Sequence, residues 1–536
     1  MFKSIAKYLI LSVILFLSIG CNEKNTPNST TLTVKEEIKQ KQKVEIKKEK
    51  PKKEIVKLDK IEIKKIEEPK AKTIKPKKEI LTTTTILTAT PKIKKEPAKI
   101  STKIISYPKQ KLTRKSSIAT KKTIKNFDFD IIKKGFKDNN TLLIVGGIQG
   151  DEPGGFMAAS LIATHYTITK GSVWIVPNLN FYSIIKRSRG PYGDMNRKFA
   201  NLSKNDPEYE SIQRIKSYIK DKSVKLIVNL HDGSGYYRPK YEDKLHSPYR
   251  WGQCSIIDQE NISTKKYSNL LDISNKVVSH VNKHLIKDED IYHLHNTRTV
   301  EGDKEMEKTL TYYAINQGKA AFGNEASKNL PTHQRIYYHL VALEKYMNVM
   351  GIEYKRNFNL NDKVVKNIID NDIAISLYNN KIKLPLSQIR NILKYFPVKK
   401  DGTIDFVPSN PLMSIVKKKN EYIIYYGNRR LARLKADYVA LEKGQKLVKL
   451  NIDSKDKNIE FGSLITVKND FKVYNTKDYR VNIIGFTNKT KKETDTLISY
   501  QKMQKKFSID KTGSTYRIEF YKKKKFAGMI LVKFAG

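Results

Sequence analysis

Cysteine is nearly absent from this chain of 536 residues, which contains only Cys21 and Cys254. Two cysteines cannot build a disulfide framework. They also lack the close Cys-x-x-Cys spacing of a structural zinc site. We therefore expect Cys254 to be a small core or pocket-wall residue and not a metal ligand.

Glycine is missing from residues 22–125, and the first aromatic residue of that segment is Tyr107. The segment is rich in Lys, Glu, Ile, Thr and Pro instead. Such a composition cannot bury enough apolar surface to offset the entropy lost on ordering. We expect residues 22–125 to form a disordered, Lys-rich tether that spans about 50–60 Å as a flexible chain.

The apolar run near the N-terminus, residues 8–19, is too short for a convincing membrane-spanning helix. It follows Lys3 and Lys7, and this pattern predicts an export signal over residues 1–21. Residues 17–21 are similar to a lipobox, which predicts lipidation and a membrane anchor at Cys21. Ordinary signal cleavage is the alternative, and either process takes the protein out of the cytoplasm.

Acidic residues are scarce beside basic ones, 55 against 103, so the formal net charge is +48. Nucleic-acid binding is one interpretation of such a charge. However, the excess is spread along the chain, is densest in the predicted tether, and comes without an aromatic-and-basic recognition motif. An anionic wall polymer or membrane face suits the charge equally well, and compositional bias toward Lys, Ile and Asn explains much of it. We expect no nucleic-acid partner.

Polar side chains follow three apolar runs that predict strands. Residues 142–145 lead into a turn with Gln149 and Glu152, residues 226–230 end at His231, and residues 320–324 end at Glu325. In open α/β sheets, ligands bind at the carboxyl ends of the strands. Three protein ligands with one open position are typical of a catalytic zinc site, and a further Glu supplies its general base. The turn by itself would equally suit a plain crossover connection.

This constellation resembles the zinc carboxypeptidase A superfamily, whose pattern is His-x-x-Glu, a distant His and a much later Glu. Glu152, His231 and Glu325 match that pattern, whereas Gln149 replaces the first His. The replacement resembles one branch, the peptidoglycan DL-carboxypeptidases that determine helical cell shape in curved Gram-negative bacteria. The segments GGIQGDEPGGF, RGPYGDMNRKF, NLHDGSGYY and FGNEASKNLP also fit this branch. The resemblance covers roughly residues 127–352.

The resemblance assigns roles to the remaining site residues. It implies that Gln149, Glu152 and His231 bind zinc and that Glu325 is the base. In the superfamily, the Asn-Arg of an Asp-x-Asn-Arg motif grips the terminal carboxylate of the substrate, which implies this role for Asn196 and Arg197. Arg189 would clamp a second carboxylate or polarise the scissile carbonyl, unless it is a surface charge in a basic loop. His293 and His295 alternate on a predicted strand, but nothing nearby completes a second metal site.

The implied function is zinc-dependent trimming of peptidoglycan tripeptide stems to dipeptides in the periplasm, with release of meso-diaminopimelate. Two alternatives stay open. One is an acyl-amino-acid deacylase of the same superfamily, and the other is a wall-binding lipoprotein with a dead zinc site. Retention of Glu325 argues against the dead site, because a protein without activity has no need of the base.

The predicted fold is an α/β carboxypeptidase-like domain over residues 126–352 with a mainly parallel mixed sheet. Its predicted helices include residues 153–166, 264–286 and 330–351. Short alternating apolar runs then predict two β modules, residues 353–444 and 445–536. The resemblance implies that the first is barrel-like and the second immunoglobulin-like.

Overall fold

The structure, a computed structural model, describes residues 106–108, 110–118, 127–444, 447–488 and 492–535. The predicted export signal, Cys21 and most of the predicted tether lie outside the described residues. The chain divides into two units, Met1–Pro97 and Ala98–Gly536, and every described residue belongs to the second. No helix among the described residues has the length and apolarity needed to cross a membrane.

The helices, in chain order, are α1 (Pro153–His165), α2 (Phe181–Lys186), α3 (Tyr209–Lys220), α4 (Leu270–Asn282), α5 (Leu310–Asn316), α6 (Thr332–Val349) and α7 (Asp362–Asn371). The strands are β1 (Arg114–Lys115), β2 (Ser117–Ile118), β3 (Ile132–Gly135), β4 (Thr141–Val145), β5 (Tyr166–Lys170), β6 (Ser172–Val176), β7 (Val224–Gly233), β8 (Tyr236–Tyr237), β9 (His246–Ser247), β10 (Cys254–Ile257), β11 (His293–Asn296), β12 (Ala320–Ser327), β13 (Glu353–Arg356), β14 (Ala374–Leu377), β15 (Ile382–Pro385), β16 (Ile392–Lys399), β17 (Asp405–Pro408), β18 (Met413–Lys418), β19 (Glu421–Tyr426), β20 (Arg429–Leu441), β21 (Leu447–Ile452), β22 (Lys455–Glu460), β23 (Leu464–Val467), β24 (Asp470–Val473), β25 (Arg480–Ile483), β26 (Ile498–Ser499), β27 (Thr515–Lys522) and β28 (Lys525–Phe534).

A seven-stranded mixed sheet forms the centre of the first domain, in the order β11-β10-β12-β7-β4-β6-β3. The pairs β4–β6, β4–β7, β7–β12 and β10–β11 are parallel, whereas β3–β6 and β10–β12 are antiparallel. Every residue of β4, β6 and β12 is buried, so both faces of these strands are covered. Strands covered on both faces need near-continuous apolar runs, which is why these segments were recognisable in the sequence.

Helix α4 begins at Leu270, six residues after the predicted start at Thr264. Asn269 ends the preceding loop, because its side chain accepts a hydrogen bond from the backbone N–H of Asp272 at 2.8 Å. This is the contact of an N-cap residue, which satisfies a backbone donor at the start of the helix. The predicted helix 264–286 was therefore too long at both ends.

The segment before the first domain is built into the β-rich part of the molecule. Strand β1 pairs with β17, and β2 pairs with β18. Arg114 pairs with Asp130 of the first domain and donates to the backbone carbonyl of Pro411 at 2.7 Å. Residues 114–118 are thus ordered strands, and the prediction that the tether extends to residue 125 was wrong. Composition could not reveal this order, because it comes from pairing with strands almost 300 residues away.

The first domain also continues past the predicted boundary at residue 352. Strand β13 pairs with β5, and helix α7 packs against α6. Beyond α7, β20 pairs with β28 and so joins the two β modules in one extended sheet of nine strands. The C-terminal module adds a separate four-stranded sheet, β22-β21-β24-β26, and has a hydrophobic core of its own.

Candidate active site

Three neighbouring strands, β4, β7 and β12, bring the predicted site residues together at one edge of the sheet. His231 on β7 lies directly opposite Glu325 on β12. Gln149 and Glu152 lie on the loop between β4 and α1. The Nδ1 atom of His231 is 3.0 Å from Gln149 Oε1 and 3.0 Å from Glu152 Oε2. The structure therefore brings all three predicted ligands to one point, and all three are buried.

The side-chain amide of Gln149 is held in one orientation by Asp194. Its Nε2 donates to both carboxylate oxygens of Asp194, at 2.8 and 2.9 Å, so that Oε1 faces His231. Burial alone would raise the pKa of Asp194. Arg189 and the hydrogen bonds from Gln149 and Asn196 outweigh burial and lower this pKa below its usual value. Asp194 is thus a carboxylate in the folded protein.

Two cations flank the carboxylate of Glu152 on the side away from His231. Glu152 Oε1 lies 3.4 Å from Arg189 Nη1 and 3.5 Å from Lys328 Nζ. Glu152 Oε2 accepts the backbone N–H of Asp232 at 3.2 Å. These contacts fix the carboxylate at the start of α1, where Pro153 is the first helical residue. Lys328 had no assigned role in the sequence, although it follows Glu325 closely.

Asp232 is buried next to the ligand set but does not contact His231 with its side chain. Its Oδ2 accepts from the backbone N–H of Gly154 and from Arg335 Nη1, both at 2.7 Å. Its Oδ1 lies 3.2 Å from Nε2 of His339 on α6. Asp232 therefore joins β7, α1 and α6 around the site, and its side chain does not orient His231.

Glu325 lies in the same pocket as the ligand set, and its Oε2 has no hydrogen-bond partner among the described residues. Burial raises the pKa of Glu325 well above its usual value, and the negative charges of Glu152 and Asp232 raise it further. A positive ion in the ligand set would oppose that effect. The free oxygen and the shifted pKa are both features of a general base or acid.

The pocket has a volume of about 310 Å³. The three residues predicted to bind substrate, Arg189, Asn196 and Arg197, all line it. Asn196 Oδ1 accepts from the backbone N–H of Leu310 at 3.0 Å, which fixes the amide. Arg189 donates to Asp194 at 2.9 Å through Nε and also approaches Glu152, and its role in binding substrate stays a prediction.

Several pocket residues were not found from the sequence: Trp251, Ile256, Met306, Thr309, Thr311 and Lys328. Most of them lie on loops or on β10 and α5, and no local pattern marks them. His293 and His295 belong to no group of three or more His, Cys, Asp or Glu suited to a metal among the described residues, and Tyr237 stacks on His295 with ring centroids 4.0 Å apart. Burial lowers the pKa of His295 to about 4, so this imidazole is neutral.

The ligand set fits a metal ion. In a tetrahedral zinc site, two ligand atoms that are each about 2.0–2.2 Å from the metal lie about 3.3–3.6 Å apart. The separations of 3.0 Å around His231 Nδ1 are slightly shorter, so small side-chain shifts would admit the ion. No group of three or more His, Cys, Asp or Glu in the described part of the chain is suited to a metal. The present set contains only two residues of these four types, because its third member is Gln149.

One pocket at the edge of the α/β sheet contains three converging potential ligands, an unpaired Glu oxygen and an Asn-Arg pair. This combination is typical of the α/β metallocarboxypeptidases. Three family models match consecutive parts of the chain. The first, described as "Carboxypeptidase controlling helical cell shape catalytic", matches residues 118–370. The β-barrel domain of the same carboxypeptidase family matches residues 370–440, and the C-terminal domain of metallo-carboxypeptidase matches residues 441–535.

Solved structures agree with these matches. The apo form of cell shape determinant protein Csd4 from Helicobacter pylori is 43% identical, with a TM-score of 0.70, and the match covers 76% of this chain and 100% of that one. The mDAP-bound form of Csd4, described as a D,L-carboxypeptidase, is 42% identical with a TM-score of 0.68, covering 78% and 100%. No curated protein matches the chain significantly. The chain belongs to the family of carboxypeptidases that control helical cell shape.

Proposed function

We propose that this protein is a zinc-dependent DL-carboxypeptidase that removes meso-diaminopimelate from peptidoglycan tripeptide stems. The observation that carries the proposal is the convergence of Gln149, Glu152 and His231 beside the unpaired carboxyl oxygen of Glu325. Csd4 has been crystallised with a tripeptide and with mDAP, at 43% and 42% identity to this chain. Such ligands are the peptide substrate and the released product of this reaction.

Gln149 Oε1, Glu152 Oε2 and His231 Nδ1 would hold the zinc ion. A zinc ion there supplies Lewis acidity and lowers the pKa of water toward neutrality. The set contains one negative charge, from Glu152, which is the same charge as two His and one Glu. Exchanging a neutral imidazole for a neutral amide therefore leaves the net charge of the ligand set unchanged.

Glu325 acts as the general base and then as the general acid. It accepts a proton from the attacking water and delivers it to the amine of the leaving diaminopimelate. Its burial favours this role, because a carboxylate that has lost its hydration binds a proton more readily. Its position opposite His231 in the β7–β12 register keeps it beside the ligand set without making it a member.

Asn196 and Arg197 bind the terminal carboxylate of the substrate and so make the enzyme an exopeptidase. Arg197 suits this task because its planar guanidinium can donate two parallel hydrogen bonds to a carboxylate. Its protein partners are weak: the carbonyl of Asn196 at 3.2 Å and Glu305 at 3.6 Å. Asp194 and Glu152 hold Arg189 at the pocket wall, where it is the proposed second contact to the substrate.

The function is tested by incubating the purified full chain with defined tripeptide muropeptides, with and without a metal chelator. Mass spectrometry should show dipeptide muropeptide and free diaminopimelate only in the sample without chelator. Added zinc should restore the activity of the chelator-treated sample. A protein that cleaves equally well with chelator would contradict the zinc requirement. Release of an N-acyl group in place of diaminopimelate would favour the deacylase alternative.

We further infer from the N-terminal sequence that the protein is exported to the periplasm and anchored through a lipid on Cys21. An immunoglobulin-like architecture for the C-terminal module is also a proposal, supported by the two sheets of this module. Fractionation of cells and metabolic labelling with a fatty-acid analogue would test the anchor. A soluble periplasmic protein without label would contradict lipidation but not export.

A further inference from the structure

Asn229 is a polar residue in the middle of the central sheet. It lies on β7 between Val145 of β4 and Gly323 of β12, and it is fully buried. Residues two apart on a strand face the same side, so Asn229 shares its face with His231. Its Nδ2 lies 2.7 Å from His231 Nε2, and its Oδ1 has no hydrogen-bond partner among the described residues.

The position of His231 dictates which end of this amide must face it. The Nδ1 atom of His231 faces Gln149 and Glu152, so a metal ion bound there would need the lone pair of Nδ1. A neutral imidazole has one N–H, which must then be on Nε2. An Nε2–H group needs an acceptor, and Asn229 is the side chain at hydrogen-bond distance from Nε2 among the described residues, so its amide oxygen must be that acceptor.

A half-turn of the Asn229 amide exchanges its oxygen and its nitrogen with little other change. The two ends have nearly the same shape, and their assignment follows from the hydrogen-bond network. The far end has no partner among the described residues in the present orientation, so the half-turn breaks no other hydrogen bond of this side chain. The contact with His231 alone therefore decides the orientation.

We propose that Asn229 is a positioning residue whose side-chain oxygen accepts Nε2–H of His231 and so keeps Nδ1 directed at the metal. A hydrogen bond from the distal nitrogen of a metal-binding His fixes both its tautomer and its ring orientation. The proposal rests on the metal site of the proposed function. It assigns to Asn229 the orienting role that the side chain of Asp232 does not perform.

A second Asn–His pair in the same sheet provides a matched control. Asn324 on β12 is buried, and its Nδ2 lies 2.9 Å from Nδ1 of His339. The other nitrogen of His339 contacts the carboxylate of Asp232, which can only accept, so it is Nε2 that has the N–H. Asn324 must therefore donate, whereas Asn229 must accept. The two pairs predict opposite outcomes for the same Asn→Asp substitution, because Asp accepts but cannot donate when ionised.

The test measures zinc affinity of the full chain by competition with a chelator, and the visible spectrum of the cobalt-loaded protein. Asn229→Leu should weaken zinc binding by about 10- to 100-fold and alter the cobalt spectrum. Asn229→Asp should keep the wild-type spectrum and bind zinc at least as tightly, since a carboxylate is a stronger acceptor. In the zinc-loaded protein, Asn324→Asp should lower the thermal midpoint more than Asn229→Asp does, because it places a carboxylate against the unprotonated Nδ1 of His339, so that two acceptors face each other.

Two results would overturn the proposal. In one, folded Asn229→Leu binds zinc like the wild type; in the other, Asn229→Asp weakens zinc binding as much as Asn229→Leu, which would mean that the amide donates. If Asn229→Leu fails to fold, the nearly isosteric Asn229→Asp decides between the two orientations. If the wild-type chain binds no zinc, and Gln149→Ala leaves its cleavage of muropeptides unchanged, the proposed function itself is overturned.

Discussion

Replacement of Arg197 by Ala should damage catalysis and leave the fold nearly intact. In the folded protein Arg197 forms an ion pair with Glu305 at 3.6 Å, and the side chains are 30% and 65% exposed. Exposed pairs of this kind contribute about 0–1 kcal/mol to stability. A charge-assisted hydrogen bond to the substrate carboxylate contributes about 1.5–3 kcal/mol. Its loss should lower kcat/KM roughly 10- to 160-fold.

The adjacent residue, Lys198, supplies a control whose replacement should lower stability and leave substrate preference unchanged. Lys198 is buried and forms ion pairs with Asp206 and Glu208, both at 2.8 Å. Removing one partner of a buried ion pair costs about 3–5 kcal/mol. Lys198→Met should therefore lower the free energy of unfolding by about that amount, without changing the preference for a free carboxylate.

The assay compares kcat/KM for a free-acid tripeptide and for the same peptide with a C-terminal amide, beside chemical denaturation of each variant. The wild type should strongly prefer the free acid, and Arg197→Ala should lose most of that preference. Equal losses on both substrates, or a drop in unfolding free energy as large as the catalytic loss, would refute the clamp role.

Three further predictions concern the metal site and the N-terminus. Glu325→Gln should lower kcat by about 10²- to 10⁴-fold while one zinc ion stays bound, and metal analysis of the variant checks this; loss of zinc would show that Glu325 is a ligand. Gln149→His should bind zinc more tightly in chelator competition and stay active, because imidazole is a better donor to zinc than an amide oxygen; an inactive variant with zinc in place would mean that Gln149 acts on the substrate. Cys21→Ser should move the protein from the membrane to the soluble fraction without changing its activity on soluble muropeptides, and unchanged partitioning on a fractionation blot would disprove lipidation.

The sequence predicted those parts of the site that follow from strand ends. His231 and Glu325 come directly after buried apolar runs, and Gln149 and Glu152 lie on the turn after a third run; parallel neighbours bring such residues to one edge. Asn196 and Arg197 were found through a motif. Trp251 and Thr311 were not, because loops and neighbouring elements bring them to the pocket through tertiary packing alone.

Fold predictions failed where local signals were weak or were overlooked. The pairing of β1 with β17 depends on residues far apart in the chain, and no local pattern indicates it. Helix α7, by contrast, had a detectable signal within a stretch interpreted as β-rich. Asn361 caps it by accepting from the backbone N–H of Val364 at 2.9 Å. Val365, Ile368 and Ile369 follow at helical spacing and are buried.

One contact in the structure supports the proposal that Gln149 is a metal ligand where the resembled superfamily has His. An amide presents an oxygen at one end and a nitrogen at the other, so a free side chain could turn either end toward a metal. Asp194 can only accept, and both of its oxygens take up Gln149 Nε2, so Oε1 must face the ligand set. The negative charge of Asp194 also draws positive charge toward the amide nitrogen and leaves Oε1 a stronger donor to a cation.

The short segment 194–197 orients Gln149 and also positions the proposed substrate clamp, Asn196 and Arg197. Asp194 accepts the backbone N–H of Asn196 at 2.9 Å and begins the single helical turn Met195–Arg197. A carboxylate placed to hold Gln149 thereby fixes the turn from which Asn196 and Arg197 line the pocket. We expect Asp194 to couple the proposed metal site to the proposed substrate clamp, so its replacement should affect both zinc affinity and substrate binding, whereas Arg197→Ala should affect substrate binding alone.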